Sequence, residues 1–433
     1  MQSVGSSKKV AVIGSGISGL ATAYRLGQSG HIVSLIEAAD YFGGHTHTVD
    51  VTLGGITYGV DTGFLVFNHK TYPNLVKLFD ELNIETVATE MSFSVKSQLA
   101  HRILEWSGNN INTVFAQRRN LFSPGFLRML RDIIRFNEET TVLALTSSHV
   151  EFEQTLGDYL IHHKYSTEFR DWYLLPMAGC IWSCPTAQML AFPLATFVRF
   201  CHNHGLLQIS DRPQWNTVKG GARHYVEKML ASIEDKRLNT PVQSINRVQI
   251  DDKTKIKLNT QYGNELFDHV VLCVHSDQAL KLLQDATATE KKLLGAVAYH
   301  PNQAVLHTDD SCLPGNKKTW SAWNYQSKSG NEPQVCVHYL INKLQPLPFK
   351  ESVIVSLNPI DEPDPAKIIA KFDYSHPVFD SEAISDQQNI GQIQGQQNTW
   401  FAGAWTGYGF HEDGLKSGLS VANSIDALES GNV

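Results

Sequence analysis

Residues 8–37 read KKVAVIGSGISGLATAYRLGQSGHIVSLIE, and their reading decides the fold. An apolar run, 10–13, stops at Gly14-Ser15-Gly16-Ile17-Ser18-Gly19, which opens a helical pattern. A second apolar run, 32–36, ends at Glu37-Ala38. In such a strand–turn–helix, Gly14 permits the tight turn. Gly16 lets the backbone approach a pyrophosphate, and Gly19 lets helix and strand pack closely. The N–H groups of the turn sit at the positive end of the helix, where a pyrophosphate is stabilised. Glu37 falls 18 residues after Gly19, placed to accept hydrogen bonds from a ribose diol. An acid there repels a 2′-phosphate, so the spacing predicts binding of FAD or NAD rather than NADP.

The chain has 433 residues, more than one ordinary core holds, and two domains are expected. Hydrophobic residues make up 42% and charged residues 18%, a globular balance. A net charge of −7 argues against a nucleic-acid partner. The six cysteines (Cys180, Cys184, Cys201, Cys273, Cys312 and Cys336) follow no framework spacing, which suits a reducing compartment. The first residues lack an apolar signal core and no long apolar run occurs, so a cytoplasmic location without a membrane span is expected.

Further along, residues 91–205 show few strand patterns and several helix-like apolar stripes, such as Phe126, Leu127, Leu130, Ile133 and Ile134 on one face. Thr155 is placed to cap a following helix. From Trp215 a Gly-Gly turn leads into a helix, two strands alternate around Asp251-Asp252, and DHVVLCVHS reads as a buried strand. The 399–428 stretch gives a strand, a Gly-rich loop and a final helix. The expected organisation is an FAD-binding domain from 1–90, 206–298 and 391–433, with a substrate domain from 91–205 and 299–390. Only one GxGxxG-type turn lies between a strand and a helix, so a single dinucleotide is expected.

Gly43-Gly44-His45, Val60-Asp61-Thr62-Gly63-Phe64, Gly403-Ala404 and Asp413-Gly414-Leu415 together resemble the flavin amine oxidase superfamily. Segments such as GGHTHTVDV, MAGCIWSCP and FAGAWTGYGFHEDGL are also similar to a bacterial FAD-dependent oxidoreductase family found beside cyclopropane-fatty-acid synthase-like enzymes. The resemblance implies an α/β, Rossmann-like FAD-binding domain with an inserted α+β substrate domain. It implies non-covalent FAD, since the last cysteine is Cys336. It also implies cofactor contacts at Gly43, Gly44, His45, Thr62, Gly63, Phe64, Val242, Gly403, Ala404, Asp413, Gly414 and Leu415. Two positions depart from the superfamily's pattern: His45 stands where it carries arginine, and the segment 299–305 lacks the lysine that often holds water at flavin N5.

The closing loop supplies the candidate catalytic groups. Tyr408 is placed to stack on substrate, and His411 and Glu412 to exchange a proton and tune one another. The competing reading has His411 and Glu412 binding backbone or ribityl hydroxyls. No metal is expected: His45-x-His47, and Cys180 and Cys184 with either His162-His163 or Cys201 and His204, read better as packing or phosphate contacts. Trp106, Phe115, Trp172, Tyr173, Trp182, Phe192, Phe197 and Phe200 suit an apolar tunnel, although ordinary core explains most of them singly. Arg118, Arg119, Arg128, Arg131 and Arg135 face only Asp132. A solvated helix face explains them better than the alternative, peripheral contact with an anionic membrane surface. The expected activity is an FAD-dependent oxidoreductase of desaturase or oxidase type on an apolar, fatty-acyl or lipid-like substrate. An amine oxidase and a non-catalytic FAD-binding partner of a lipid methyltransferase stand as alternatives.

Overall fold

The computed structural model describes residues 7–146, 154–183, 185–208, 212–328 and 335–430. Strand β1 (Lys9–Ile13) is flanked by β2 (Ile32–Ile36) and by the strand His269–Leu272, both parallel to it. Asp235–Arg237 adds outside β2 and Thr399–Phe401 outside the 269–272 strand, completing a five-stranded parallel sheet. Val10, Ala11, Val12, Leu35, Val270, Val271 and Leu272 are fully buried, as parallel strands covered on both faces require. Helix α1 (Ile17–Gln28) crosses from β1 to β2 and packs along the final helix, His411–Glu429. The α/β architecture with a Rossmann-like start is thus as expected.

A second sheet has seven strands, in the order 368–378, 298–307, 354–357, 336–340, 323–327, 93–99 and 102–107. One face carries Val95, Trp106, Ala304, Tyr325, Val337, Val355 and Leu357 into a core shared with the first sheet. The opposite face buries polar groups: Ser94, Ser107, Asn324, His338 and Ser356. A helical layer (Pro124–Thr146, Leu156–His162, Leu175–Trp182 and Leu194–Asn203) encloses its own core of Phe136, Tyr159, Phe169, Trp182, Phe197 and Phe200.

The 91–205 block contributes two strands, Phe93–Leu99 and Arg102–Ser107, to the large sheet beside its helices. One local expectation is corrected. On the Pro124–Thr146 helix, Phe126, Met129, Asp132, Phe136, Asn137 and Thr140 are the buried positions among the described residues, while Leu127 and Ile134 are 45% and 48% exposed. The buried stripe includes a carboxylate because Asp132 accepts from the backbone N–H and hydroxyl of Ser166, which a reading of apolar periodicity passes over. Thr155 does cap the 156–162 helix, in a reciprocal box with Asp158. No described helix is long and apolar enough to cross a membrane.

Candidate functional site

A cavity of about 740 Å³ opens at the β1–α1 turn and runs between the two sheets to the helical layer. Its first wall is the glycine turn. Gly14 has φ +93°, and a Cβ there would lie 2.6 Å from the Cys273 carbonyl oxygen. A Cβ on Gly19 would lie 1.9 Å from the Gly14 carbonyl oxygen, so α1 rests directly on the turn. A Cβ on Gly16 meets nothing within 4 Å, which leaves room for a ligand against the backbone. Ser15, Ile17, Ser18, Glu37 and Ala38 line this end with Gly14 and Gly16; Gly19 sits behind it as packing. Glu37 Oε2 accepts from the Ser15 N–H and hydroxyl (2.8 and 2.6 Å), and Oε1 accepts from the Ala39 N–H. A carboxylate offers about four lone-pair directions, so some remain for a ribose diol.

Gly43, Gly44 and His45 form the next wall, with Thr62, Gly63 and Phe64 beside them and Val242 further out. Burial holds the His45 imidazole near pKa 4, hence neutral, and its Nε2 is buried without a partner. A buried donor or acceptor left alone costs about 1–3 kcal/mol, so it marks a place where a ligand's polar group fits. Asp61, one residue before Thr62, accepts from the Thr48 hydroxyl, the Ala222 N–H and Gln345 Nε2. It ties the wall to the helix Arg223–Leu230, and burial raises its carboxyl to about 7.

The closing loop lines the cavity through Gly403, Ala404, Trp405, Gly409, Phe410 and His411. His411 stacks on Phe64 (centroids 3.9 Å apart), and its Nε2 lies 2.6 Å from the Tyr225 hydroxyl, which in turn meets Thr46. Burial pushes its imidazole down to about 3, so it stays neutral at physiological pH. The expected pairing of His411 with Glu412 is corrected: Glu412 turns out of the cavity. Its oxygens accept from the Asn74 N–H and side-chain amide and from the Leu75 N–H. That makes it a cap on the helix Pro73–Glu81, where a carboxylate meets unpaired N–H groups and the positive helix end. Tyr408 lies off the wall, packed toward Phe200, and Phe410 holds the position expected of it. Asp413 accepts from the Tyr408 and Phe410 N–H groups and shapes the loop from behind. Gly414 and Leu415 pack against α1; a Cβ on Gly414 would meet Ile17 at 2.8 Å.

The far end is apolar. Met91, Ile181, Phe200, Trp215, Ala304, Trp323, Tyr339, Val355 and Leu357 line it, with Tyr72, Cys180 and His204 as polar points. His204 Nδ1 lies 3.0 Å from the Phe200 carbonyl oxygen, which fixes the proton on Nδ1 and makes Nε2 the acceptor. Of the eight aromatics read as tunnel candidates, Phe200 alone lines the cavity among the described residues. Trp215, Trp323 and Tyr339 are not among the tunnel candidates, because each stands in a short strand outside the 91–205 block whose aromatics read that way.

The other metal candidates separate. His45 and His47 lie in the turn before the strand Thr48–Leu53, and His47 stacks on Tyr41. Cys180 and Cys201 are buried thiols; Cys184 lies outside the described residues. His307, Cys312 and His338 do bring ligating atoms within 4.8 Å of one another, but the Ser356 hydroxyl bridges both imidazoles at 2.6 Å. Gln326 takes the remaining His338 nitrogen, closing the set as a hydrogen-bond network.

The open space at Gly16 and the unpartnered His45 Nε2 both fit an adenine dinucleotide running along this wall. Comparison with known proteins agrees. The chain is 33% identical over 165 residues to a 1-hydroxycarotenoid 3,4-desaturase from a Flavobacterium species, covering 37% of this chain and 30% of that protein. It is 26% identical over 267 residues to the "Probable flavin-containing monoamine oxidase A" of Dictyostelium discoideum, covering 59% and 54%. The matches thus span about a third to half of these relatives. In fold it is similar to the cyclohexylamine oxidase of Brevibacterium oxydans IH-35A, with TM-score 0.66 and 16% identity over 98% of this chain and 99% of that one. The family of flavin containing amine oxidoreductases matches residues 17–426. The chain belongs to that family, and FAD is the dinucleotide that this wall would hold.

Proposed function

We propose that the enzyme oxidises an apolar, uncharged carbon chain of fatty-acyl or lipid type, as a desaturase or oxidase. One observation carries this reading: among the described residues lining the cavity, Glu37 and Lys281 are the only charged side chains, and both stand at the nucleotide end. The rest of the wall offers neither a carboxylate for an ammonium substrate nor a cation for a carboxylate. Ala304 lines the cavity on the Ala298–His307 strand, which itself carries no lysine. Burying an unpaired charge against such walls costs several kcal/mol, so a neutral segment is favoured.

When bound, FAD would supply a two-electron acceptor for hydride from the substrate carbon. The chain's residues position and dry that step. Trp323, Tyr339, Val355 and Leu357 hold the substrate from the large sheet, and Phe200 and Ile181 close over it from the helical layer. Neutral His204 and His411 are the groups able to accept a proton there. Anaerobic mixing with acyl phospholipids, fatty acids and amines, followed by flavin absorbance, tests the reading. Bleaching by acyl chains supports it; bleaching by amines alone overturns it in favour of an amine oxidase. A flavin that no substrate reduces favours the non-catalytic alternative.

Delivery of such a substrate from a bilayer is part of the same proposal. Leu127, Arg131, Ile134, Val142 and Leu145 repeat at helical spacing on the exposed side of the Pro124–Thr146 helix, and Phe122 just before it is 86% exposed. Arg128 pairs with Glu168, and Arg131 and Arg135 both reach Asp132, at 3.4 and 3.9 Å; Arg131 is the most exposed of the three. Co-sedimentation with phosphatidylglycerol liposomes that survives the double change Phe122→Ser, Ile134→Ser would remove this element.

A further inference from the structure

The nucleotide end of the cavity is walled by imidazole where a pyrophosphate calls for positive charge. His45, His275 and His376 line it, and His300 stands beside them. The His45 ring lies 5.3 Å from His376 and 4.8 Å from Tyr374; His275 stacks on Tyr299 at 4.2 Å. This group adjoins the glycine turn from two sides. A Cβ on Gly44 would lie 3.1 Å from the Gly16 Cα, and Val274, just before His275, would meet a Cβ on Gly14 at 2.9 Å.

The charges leave a deficit. Among the described residues no arginine lines the cavity, and the single cation there, Lys281, is balanced by Glu37. A dinucleotide brings two phosphate charges, and the N-terminus of α1 offers about half of one positive charge. The hydrogen bonds say which imidazole is free to respond. Asn302 Oδ1 accepts from Asn358, so its amide donates to His376 Nδ1 at 2.8 Å; His376 keeps its proton on Nε2 and is held as a neutral donor. His45 has no such constraint, and its buried Nε2 has no partner.

Resting on the FAD assignment above, we propose that His45 takes up a proton as the FAD pyrophosphate binds, so that imidazolium supplies the missing positive charge, with His376 and His275 as neutral donors beside it. The groups facing His45 are Tyr374 and His376 on the Ile368–Val378 strand, His275 with Asp277 and Lys281 on the 276–282 helix, and His411 with Tyr225 behind it. His47, near Asp40 and Arg223, stands on the near side; Arg223 is already paired with Asp50. None of these supplies a second free cation. Burial holds His45 near 4 without an anion, and a neighbouring phosphate raises it. The extra affinity is therefore complete below about pH 4 and disappears as pH rises through the higher, bound-state value.

Calorimetric titration of the apoprotein with FAD, at pH 6.5 in two buffers of different ionisation enthalpy, measures the proton directly. ADP-ribose, which has the pyrophosphate and no flavin ring, is titrated in parallel. Both ligands are expected to take up between about half and one proton, and the FAD Kd to weaken by up to tenfold per pH unit between pH 6 and 8. His45→Gln should abolish the uptake and flatten the profile. His45→Arg should bind FAD with no uptake and more tightly than the parent at pH 8. Absence of proton uptake in the parent overturns the proposal, as does uptake unchanged in either variant. Uptake with FAD but not ADP-ribose overturns the assignment to the pyrophosphate. Failure to bind FAD at any pH would instead sink the cofactor assignment itself.

Discussion

Gly16 and Gly19 stand three residues apart in one turn, yet a methyl group should do opposite things at the two positions. At Gly16 the added Cβ meets nothing within 4 Å, and the backbone (φ −61°, ψ 177°) suits alanine. The apoprotein should lose only the small helix-start preference of glycine, under about 1 kcal/mol. The same methyl occupies the space against which a pyrophosphate lies, and displaces it from the N–H groups of the turn. Two lost charge-assisted hydrogen bonds at about 1.5–3 kcal/mol each total about 3–6 kcal/mol. That is a loss of roughly a hundredfold to ten-thousandfold in FAD affinity. At Gly19 the Cβ would sit 1.9 Å from the Gly14 carbonyl oxygen, so α1 must retreat by about 1.5 Å to regain ordinary contact. The obstacle is backbone, which places the cost near the top of the overpacking range, about 3 kcal/mol. Urea unfolding of each apoprotein and flavin-fluorescence titration separate the two effects. Gly16→Ala should unfold like the parent and fail to bind FAD; Gly19→Ala should unfold early. If Gly16→Ala binds FAD within threefold of the parent, the location of the pyrophosphate is wrong.

Other changes probe the parts assigned to structure and to substrate. Glu412→Ala removes three accepted hydrogen bonds from the start of the Pro73–Glu81 helix and should cost about 1–2 kcal/mol in urea unfolding, with the rate of flavin reduction per bound flavin unchanged. A hundredfold slower reduction at unchanged stability would restore it to the chemistry. Asp61, raised to about 7 by burial against about 3.8 when unfolded, stabilises the fold below pH 4 and loses that contribution as pH climbs through 7. The loss between pH 5 and 8 is about 3 kcal/mol, and Asp61→Asn should flatten the pH dependence of the urea midpoint; an unchanged slope refutes the assignment. Ala304→Glu puts an unpaired carboxylate on the substrate wall and should cut flavin reduction by acyl substrates at least about tenfold relative to Ala304→Gln. Equal losses in the two variants would mean that volume, and not charge, governs the site.

The β1–α1–β2 unit was legible because each of its glycines answers a local steric demand, and neighbours in sequence supply that demand. Glu412 was misread for the opposite reason. Its partners, Asn74 and Leu75, lie more than 330 positions away, and nothing near His411 says which way the first turn of the last helix will face. The strands Phe93–Leu99 and Arg102–Ser107 were hidden by their chemistry. Their inner face carries Val95 and Trp106, but the outer face, also buried, carries Ser94, Glu105 and Ser107, so burial and hydrophobicity part company. Glu105 is held there by the Gly315 and Asn316 N–H groups, a loop some 210 residues downstream.

The first sheet orders its strands 235–237, 32–36, 9–13, 269–272 and 399–401, and this has a consequence for synthesis. When β1 and β2 leave the ribosome, β1 has one neighbour and an open edge that waits about 255 residues for the 269–272 strand. The loop 403–411 that finishes the cofactor wall arrives later still. At about 5–20 residues per second, β1 spends tens of seconds as an apolar, half-paired edge. Such an edge is a template for mispairing with other chains. The nascent protein is therefore expected to depend on holding factors for most of its translation, and FAD can seal the fold only after synthesis has passed residue 411.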